Sequence, residues 1–135
     1  MSQHEVYLGN PNLKKANTPI EFTEDQIVEF LKCKEDPVYF ARNHIKIVSL
    51  DEGLVPFDMY DFQEKLIRNF HEARFNICKM PRQTGKSTTC VSYLLHYAVF
   101  NDNVNVAILA NKASTARDLL GRLQLAYENL PRWMQ

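Results

Sequence analysis

Arg74–Phe100, RFNICKMPRQTGKSTTCVSYLLHYAVF, is the stretch whose reading decides the fold. Phe75-Asn76-Ile77-Cys78-Lys79-Met80 has the mixed apolar character of a short strand. Pro81-Arg82-Gln83-Thr84 follows as a loop, and Gly85-Lys86-Ser87-Thr88 opens an apolar helical run. Strand, loop and helix in that order give a Walker A match its meaning. A phosphate held there meets backbone N–H groups and a helix N-terminus. In this reading Lys86 reaches the β- and γ-phosphates of ATP, and the Ser87 hydroxyl takes one position on Mg2+. Met80 stands where the first glycine of G-x-x-x-x-G-K-[ST] belongs. Arg82 fits two roles: a charge stabiliser near the γ-phosphate, or a solvated loop arginine paired with a carboxylate.

Composition bounds the rest. The chain has 135 residues, enough for one modest core. Its 16 basic and 16 acidic residues cancel, so it is not a polycation built to coat nucleic acid. Three cysteines without a Cys-x-x-Cys exclude a disulfide framework and most zinc-ribbon arrangements. Cys33, Cys78 and Cys90 read as small buried apolar groups in a reducing compartment. The histidines at 4, 44, 71 and 96 show no metal-ligand spacing. No apolar run reaches membrane-spanning length.

Outward from the central stretch, residues 1–20 read as an irregular arm, broken by Gly9, Pro11 and Pro19. Residues 21–56 read as a small helical lead-in. Thr23 caps one helix, with Gln26 completing a capping box. Asp36-Pro37 starts a second helix. Ile45–Leu50 reads as a short strand before the turn Asp51-Glu52-Gly53. A helix is expected over Tyr60–Ala73. Gln63 near its start can donate and accept at an adenine edge, with Tyr60 or Phe57 stacking on the base; an exposed glutamine beside a core aromatic is the plainer alternative. The helix from Gly85 is apolar on more than one side, as a helix covering a sheet would be. Val104–Ala110 reads as a second strand, parallel to Phe75–Met80 if the intervening helix is the crossover. Ser114 or Thr115 caps the last helix. Lys112, Arg117 and Arg122 are candidates for DNA phosphate contact or, equally, solvated helix residues.

A nucleotide hydrolase also needs a strand ending in an acidic residue for magnesium and water. Beyond Ser87 the acids are Asp102, Asp118 and Glu128, and none ends an apolar strand. Residues 57–135 are therefore expected to be the first part of an ATP-binding domain that stops short of its water-activating half.

The loop Met80-Pro81-Arg82-Gln83-Thr84-Gly85-Lys86-Ser87-Thr88 resembles the deviant Walker A of large terminase subunits, the DNA-packaging motors of tailed phages, and most of all those of T4-like phages. Tyr7–Asn17 is similar to the lead-in of their ATPase domain, Tyr60-Asp61-Phe62-Gln63 to their adenine-recognition element, and Ile108–Ser114 to the segment after their second strand. The resemblance implies an α/β fold, an incomplete RecA-like P-loop NTPase domain with a parallel sheet. It implies nucleotide contacts from Tyr60, Gln63, Pro81, Arg82, Gln83, Thr84, Gly85, Lys86, Ser87 and Thr88, with Lys86 and Arg82 catalytic and Ser87 on the metal. It further implies double-stranded DNA, a portal protein, a small terminase subunit and the remaining terminase polypeptide as partners. The implied location is the host cytoplasm, with transient attachment to a prohead. As this chain alone, hydrolysis is expected to be poor or absent, and the alternatives are a non-catalytic nucleotide-binding or assembly role, or part of a helicase-like ATPase.

Overall fold

A computed structural model describes residues 6–49 and 51–135. The first helix, α1 (Glu24–Glu35), begins where the capping box places it: the Thr23 hydroxyl accepts from the Gln26 N–H, and the Gln26 side chain accepts from the Thr23 N–H. Asp36 ends α1 and starts α2 (Pro37–His44), its carboxylate accepting from Val38 and Tyr39 N–H at 2.9 and 3.2 Å. Proline at the first position of α2 forfeits no helical hydrogen bond.

Two hairpins flank these helices. β1 (Val6–Tyr7) and β2 (Asn10–Lys14) pair antiparallel around Leu8 and Gly9. Both turn residues have positive φ, 47° and 78°, the twist that suits a two-residue hairpin turn. The arm expected to be irregular thus carries a hairpin. It is stitched to the far end of the chain: Lys14 N–H donates to Gln135 Oε1 at 2.9 Å, and Gln135 Nε2 donates to the Asn12 carbonyl at 2.8 Å. β3 (Lys46–Ser49) pairs antiparallel with β4 (Gly53–Pro56). The strand read over Ile45–Leu50 corresponds to β3, with Leu50 itself outside the described residues.

Three further helices follow: α3 (Asp61–Glu72), α4 (Lys86–Phe100) and α5 (Ala113–Glu128), with a 3₁₀ turn over Arg132–Met134. α4 is the central element and packs against α2, α3 and α5. Its all-round apolar sequence is thus explained by enclosure among helices, not by a covering sheet. Leu95 is fully buried, and Phe40, His96 and Phe100 meet edge-on or tilted with ring centroids 4.8–5.4 Å apart. His96 Nε2 lies 2.8 Å from the Cys33 carbonyl, tying α4 to α1.

The sheet differs from the sequence reading. Both sheets are two-stranded and antiparallel, and among the described residues there is no parallel pair. Among the described residues, Phe75–Met80 and Val104–Ala110 have no ladder partner. Ile77 is wholly exposed, and Phe75 and Leu109 are more than four-fifths exposed. Parallel strands hold when helices cover both faces of their sheet. Here α4 spends its apolar sides on α2, α3 and α5, while α5 meets α4 and β3, buries Ala126 and leaves Leu120 half-exposed, so neither helix covers the face of a parallel sheet. The expected incomplete RecA-like fold with a parallel sheet is therefore corrected to a helical assembly with two antiparallel hairpins. Of the cysteines, only Cys33 is buried; Cys78 is exposed and Cys90 lies between.

Burial holds the His96 imidazole below the ordinary histidine value of 6.5, and nearby His71 adds to this, against the raising effect of the Cys33 and Lys34 backbone and of Asp36. A depressed folded-state value means the unfolded chain takes up the proton first as pH falls. Stability linked to His96 is thus complete above about pH 6.5 and is lost below it. Urea unfolding between about pH 8 and about pH 5 is expected to show a midpoint that falls in the acid half, with that component absent in His96→Gln; a His96→Gln difference constant across this range would contradict it.

Candidate functional site: the turn at the head of α4

The turn Pro81–Gly85 is held from behind by one backbone atom. The Gly85 carbonyl accepts from the Thr89 N–H at 3.0 Å, the Thr89 hydroxyl at 2.9 Å and Gln63 Nε2 at 3.4 Å. Gln63 Oε1 in turn accepts from the Tyr60 N–H at 2.9 Å. The carboxamide therefore clamps the start of α3 to the start of α4, and both its ends are used. Gln63 and Thr89 are buried, as groups satisfied in this way can be.

The turn's own backbone is specific. Gln83 and Gly85 have φ of 61° and 70°. At Gly85 a side chain is disfavoured twice, by the left-handed backbone and because a Cβ would push aside the end of the Gln63 side chain and open the clamp. The Thr84 hydroxyl donates to the Pro81 carbonyl at 3.0 Å, closing the turn.

The opposite side of the turn is open. The first N–H groups of a helix have no intrahelical partner. At α4 no side chain caps them, and the first turn holds no acidic residue. Between Glu72 and Asp102 the sequence has no carboxylate at all, while Arg74, Lys79, Arg82 and Lys86 are present. Lys86 Nζ folds back to donate to the Met80 carbonyl at 3.3 Å. A cation thus lies over a loop whose helix end already carries partial positive charge.

The structure brings Pro81, Arg82, Gln83, Thr84, Gly85, Lys86, Ser87 and Thr88 together as this turn and the first turn of α4. Arg82 is exposed, and Ser87 and Thr88 are half-buried. Gln63 meets the turn from behind. Tyr60 is exposed and stacks on Phe62, with centroids 5.7 Å apart. Lys112, Arg117 and Arg122 are exposed on and before α5, and Arg122 also lines a cleft of about 420 Å³ with Ile45, Val91 and Leu125. α5 starts without a side-chain cap, so neither Ser114 nor Thr115 plays the role read for it. Thr89 was not among the sequence candidates. Its signal was positional: a small hydroxyl residue four places after Gly85 can back-bond to that carbonyl.

No protein-family model matches the chain. The terminase resemblance spanned nearly the whole chain, from Tyr7 to Ser114, and the antiparallel topology does not supply the core that it implied. The identification as a large terminase subunit is accordingly corrected, as are the Walker A, P-loop and ATPase readings and the function of ATP-driven DNA translocation into a prohead. The portal protein, the small terminase subunit and the prohead location entered through that resemblance alone, and double-stranded DNA through it and the basic residues Lys112, Arg117 and Arg122.

Two glycines separate the constraint at the turn from ordinary helix propensity. Gly85→Ala is expected to cost about 1–2 kcal/mol from the left-handed backbone, with more from the overlap. Gly121, within α5 and with open space around its Cα, should gain about 0.5–1 kcal/mol on replacement by alanine. Denaturant unfolding of both variants checks this; equal effects would contradict the account.

Proposed function

We propose that the chain is a non-catalytic phosphate-binding module, with the turn Pro81–Gly85 and the first turn of α4 as its site. The observation that carries this is the uncapped, acid-free N-terminus of α4 with the Lys86 ammonium folded back over the turn. The ligand class is a polyphosphate, of which ATP with Mg2+ is the representative.

The residues present suit the phosphates. Backbone N–H groups at Lys86–Thr88 donate, Lys86 leaves a carbonyl for a stronger acceptor, and no carboxylate within the turn opposes the anion. Arg82, on the exposed side of the same turn, adds charge and directs approach. Ser87 would hold Mg2+ through its hydroxyl, and the ion would neutralise charge shared between phosphates.

The base is read weakly in this proposal. Gln63 is buried with its carboxamide held between Tyr60 and Gly85, so its second N–H and second lone pair are withdrawn from an adenine edge at the surface. Tyr60 is exposed but already stacked on Phe62, so a base adds little to the binding of its phosphates. Catalysis is not part of the proposal. Asp102 lies in a turn, Asp118 on α5, and Glu128 accepts hydrogen bonds from Asn10 and Gln124.

Calorimetry with ATP, GTP and inorganic tripolyphosphate, each with Mg2+, tests the reading. All three are expected to bind with affinities within about threefold of one another, and Lys86→Ala to weaken each about tenfold or more, as loss of a charge-assisted hydrogen bond does. Absence of heat at millimolar ligand, or binding unaffected by Lys86→Ala, would overturn it.

A further inference from the structure

Away from the turn, α1 and α2 bring together three side chains of metal-ligating type. Glu29 and Cys33 stand four residues apart on one face of α1, and His44 is the last residue of α2. One ligand atom from each lies within 4.8 Å of the other two. Glu29 Oε1 is 2.8 Å from His44 Nε2 and 3.8 Å from Cys33 Sγ.

We propose that Glu29, Cys33 and His44 form a binding site for a divalent transition-metal ion of zinc's class, with water as the fourth ligand. Carboxylate oxygen, thiolate sulfur and imidazole nitrogen are the donors zinc takes. Bonds of about 2.0–2.3 Å in a tetrahedron put neighbouring donors about 3.3–3.8 Å apart. The Glu29–Cys33 separation is already in that range. The Glu29–His44 separation must open by about half an ångström, within the reach of side-chain rotation.

The surroundings are arranged as those of a metal ligand usually are. The Tyr39 hydroxyl donates to Glu29 Oε2 at 2.9 Å, which fixes the carboxylate and leaves Oε1 facing Cys33 and His44. Phe40 and Trp133 flank the His44 ring, with centroids 6.1 and 6.2 Å away. Cys33 closes the inner side of the site, while Glu29 and His44 are partly exposed, so an ion enters between them. Thiolate and carboxylate together balance the two positive charges, with the imidazole neutral. Of the nearby charges, Lys32 opposes the cation and Asp36 favours it. On binding, the ion takes the place of the proton on His44 Nε2; a protonated ring gives that proton to solvent, and a neutral ring exchanges it through solvent for one on Nδ1. The Cys33 thiol releases its proton to solvent as the sulfur–metal bond forms.

Cobalt(II) is the probe, because a thiolate on cobalt gives a near-ultraviolet charge-transfer band and tetrahedral coordination gives strong visible bands. Reduced protein titrated anaerobically with Co2+ should develop both, saturating at one equivalent and reversed by Zn2+. Cys78→Ser should keep the bands. Cys33→Ala should lose the charge-transfer band, and His44→Gln and Glu29→Gln should each weaken binding at least tenfold while folding as the parent does. No band in the parent protein, or a band that survives Cys33→Ala, would overturn the proposal. Should Cys33→Ala fail to fold, unchanged affinity in both His44→Gln and Glu29→Gln would overturn it.

Discussion

The Gly85 carbonyl, with three donors converging on it, is the constraint on which the arrangement depends. Two donors come from one residue of α4 and the third from the first turn of α3. A carbonyl has two lone pairs, so this oxygen is fully used, and the residue carrying it cannot turn without breaking contacts to two helices. The left-handed backbone at Gly85 follows from that orientation. With the carbonyl turned inward along α4, the N–H groups of its first turn face outward. The N–H groups of this first turn lack intrahelical partners as at any helix start, no side chain caps them, and the clamp behind fixes where they sit.

The clamp also places the turn relative to the core. α4 runs from Lys86 to Phe100 through the middle of the helices, and its deeper half is fixed by Leu95 and by the His96 contact with the Cys33 carbonyl. α3 is fixed through Leu66 and Ile67. Gln63 bridges the two at their beginnings, where neither has yet reached the core. Polar closure at one end and apolar burial at the other together hold the helices in register.

Local signals were the legible part of the sequence. Thr23 with Gln26, and Asp36 with Pro37, name two helix starts because capping uses only residues within one turn. The α3 helix and the β3 strand follow from periodicity in the same way. The hairpin at Val6–Lys14 was missed because Gly9 and Pro11 read as breakers, although positive φ at Leu8 and Gly9 is what the tight turn uses. Phe75–Met80 and Val104–Ala110 were misread for the opposite reason. Both have strand-like composition, but a strand is defined by a partner, and composition carries no information about one. The motif resemblance carried the same error, since it implied a parallel sheet that the described residues do not form.

The site divides along the same line. The residues of the turn were legible because they are contiguous. The structural use of Gln63 was not, because it depends on a contact across 22 residues. The grouping of Glu29, Cys33 and His44 was half legible, as Glu29 and Cys33 share a helix face while His44 arrives only when α2 folds back. The central claim is that the clamped turn presents the uncapped α4 N–H groups to an anion. An amide-resolved nuclear magnetic resonance titration with tripolyphosphate tests it most directly. The account requires the largest shifts at Gly85, Lys86, Ser87 and Thr88, with the Thr23-capped start of α1 unmoved. Shifts centred on the start of α5, or none above those of a salt control, would contradict it.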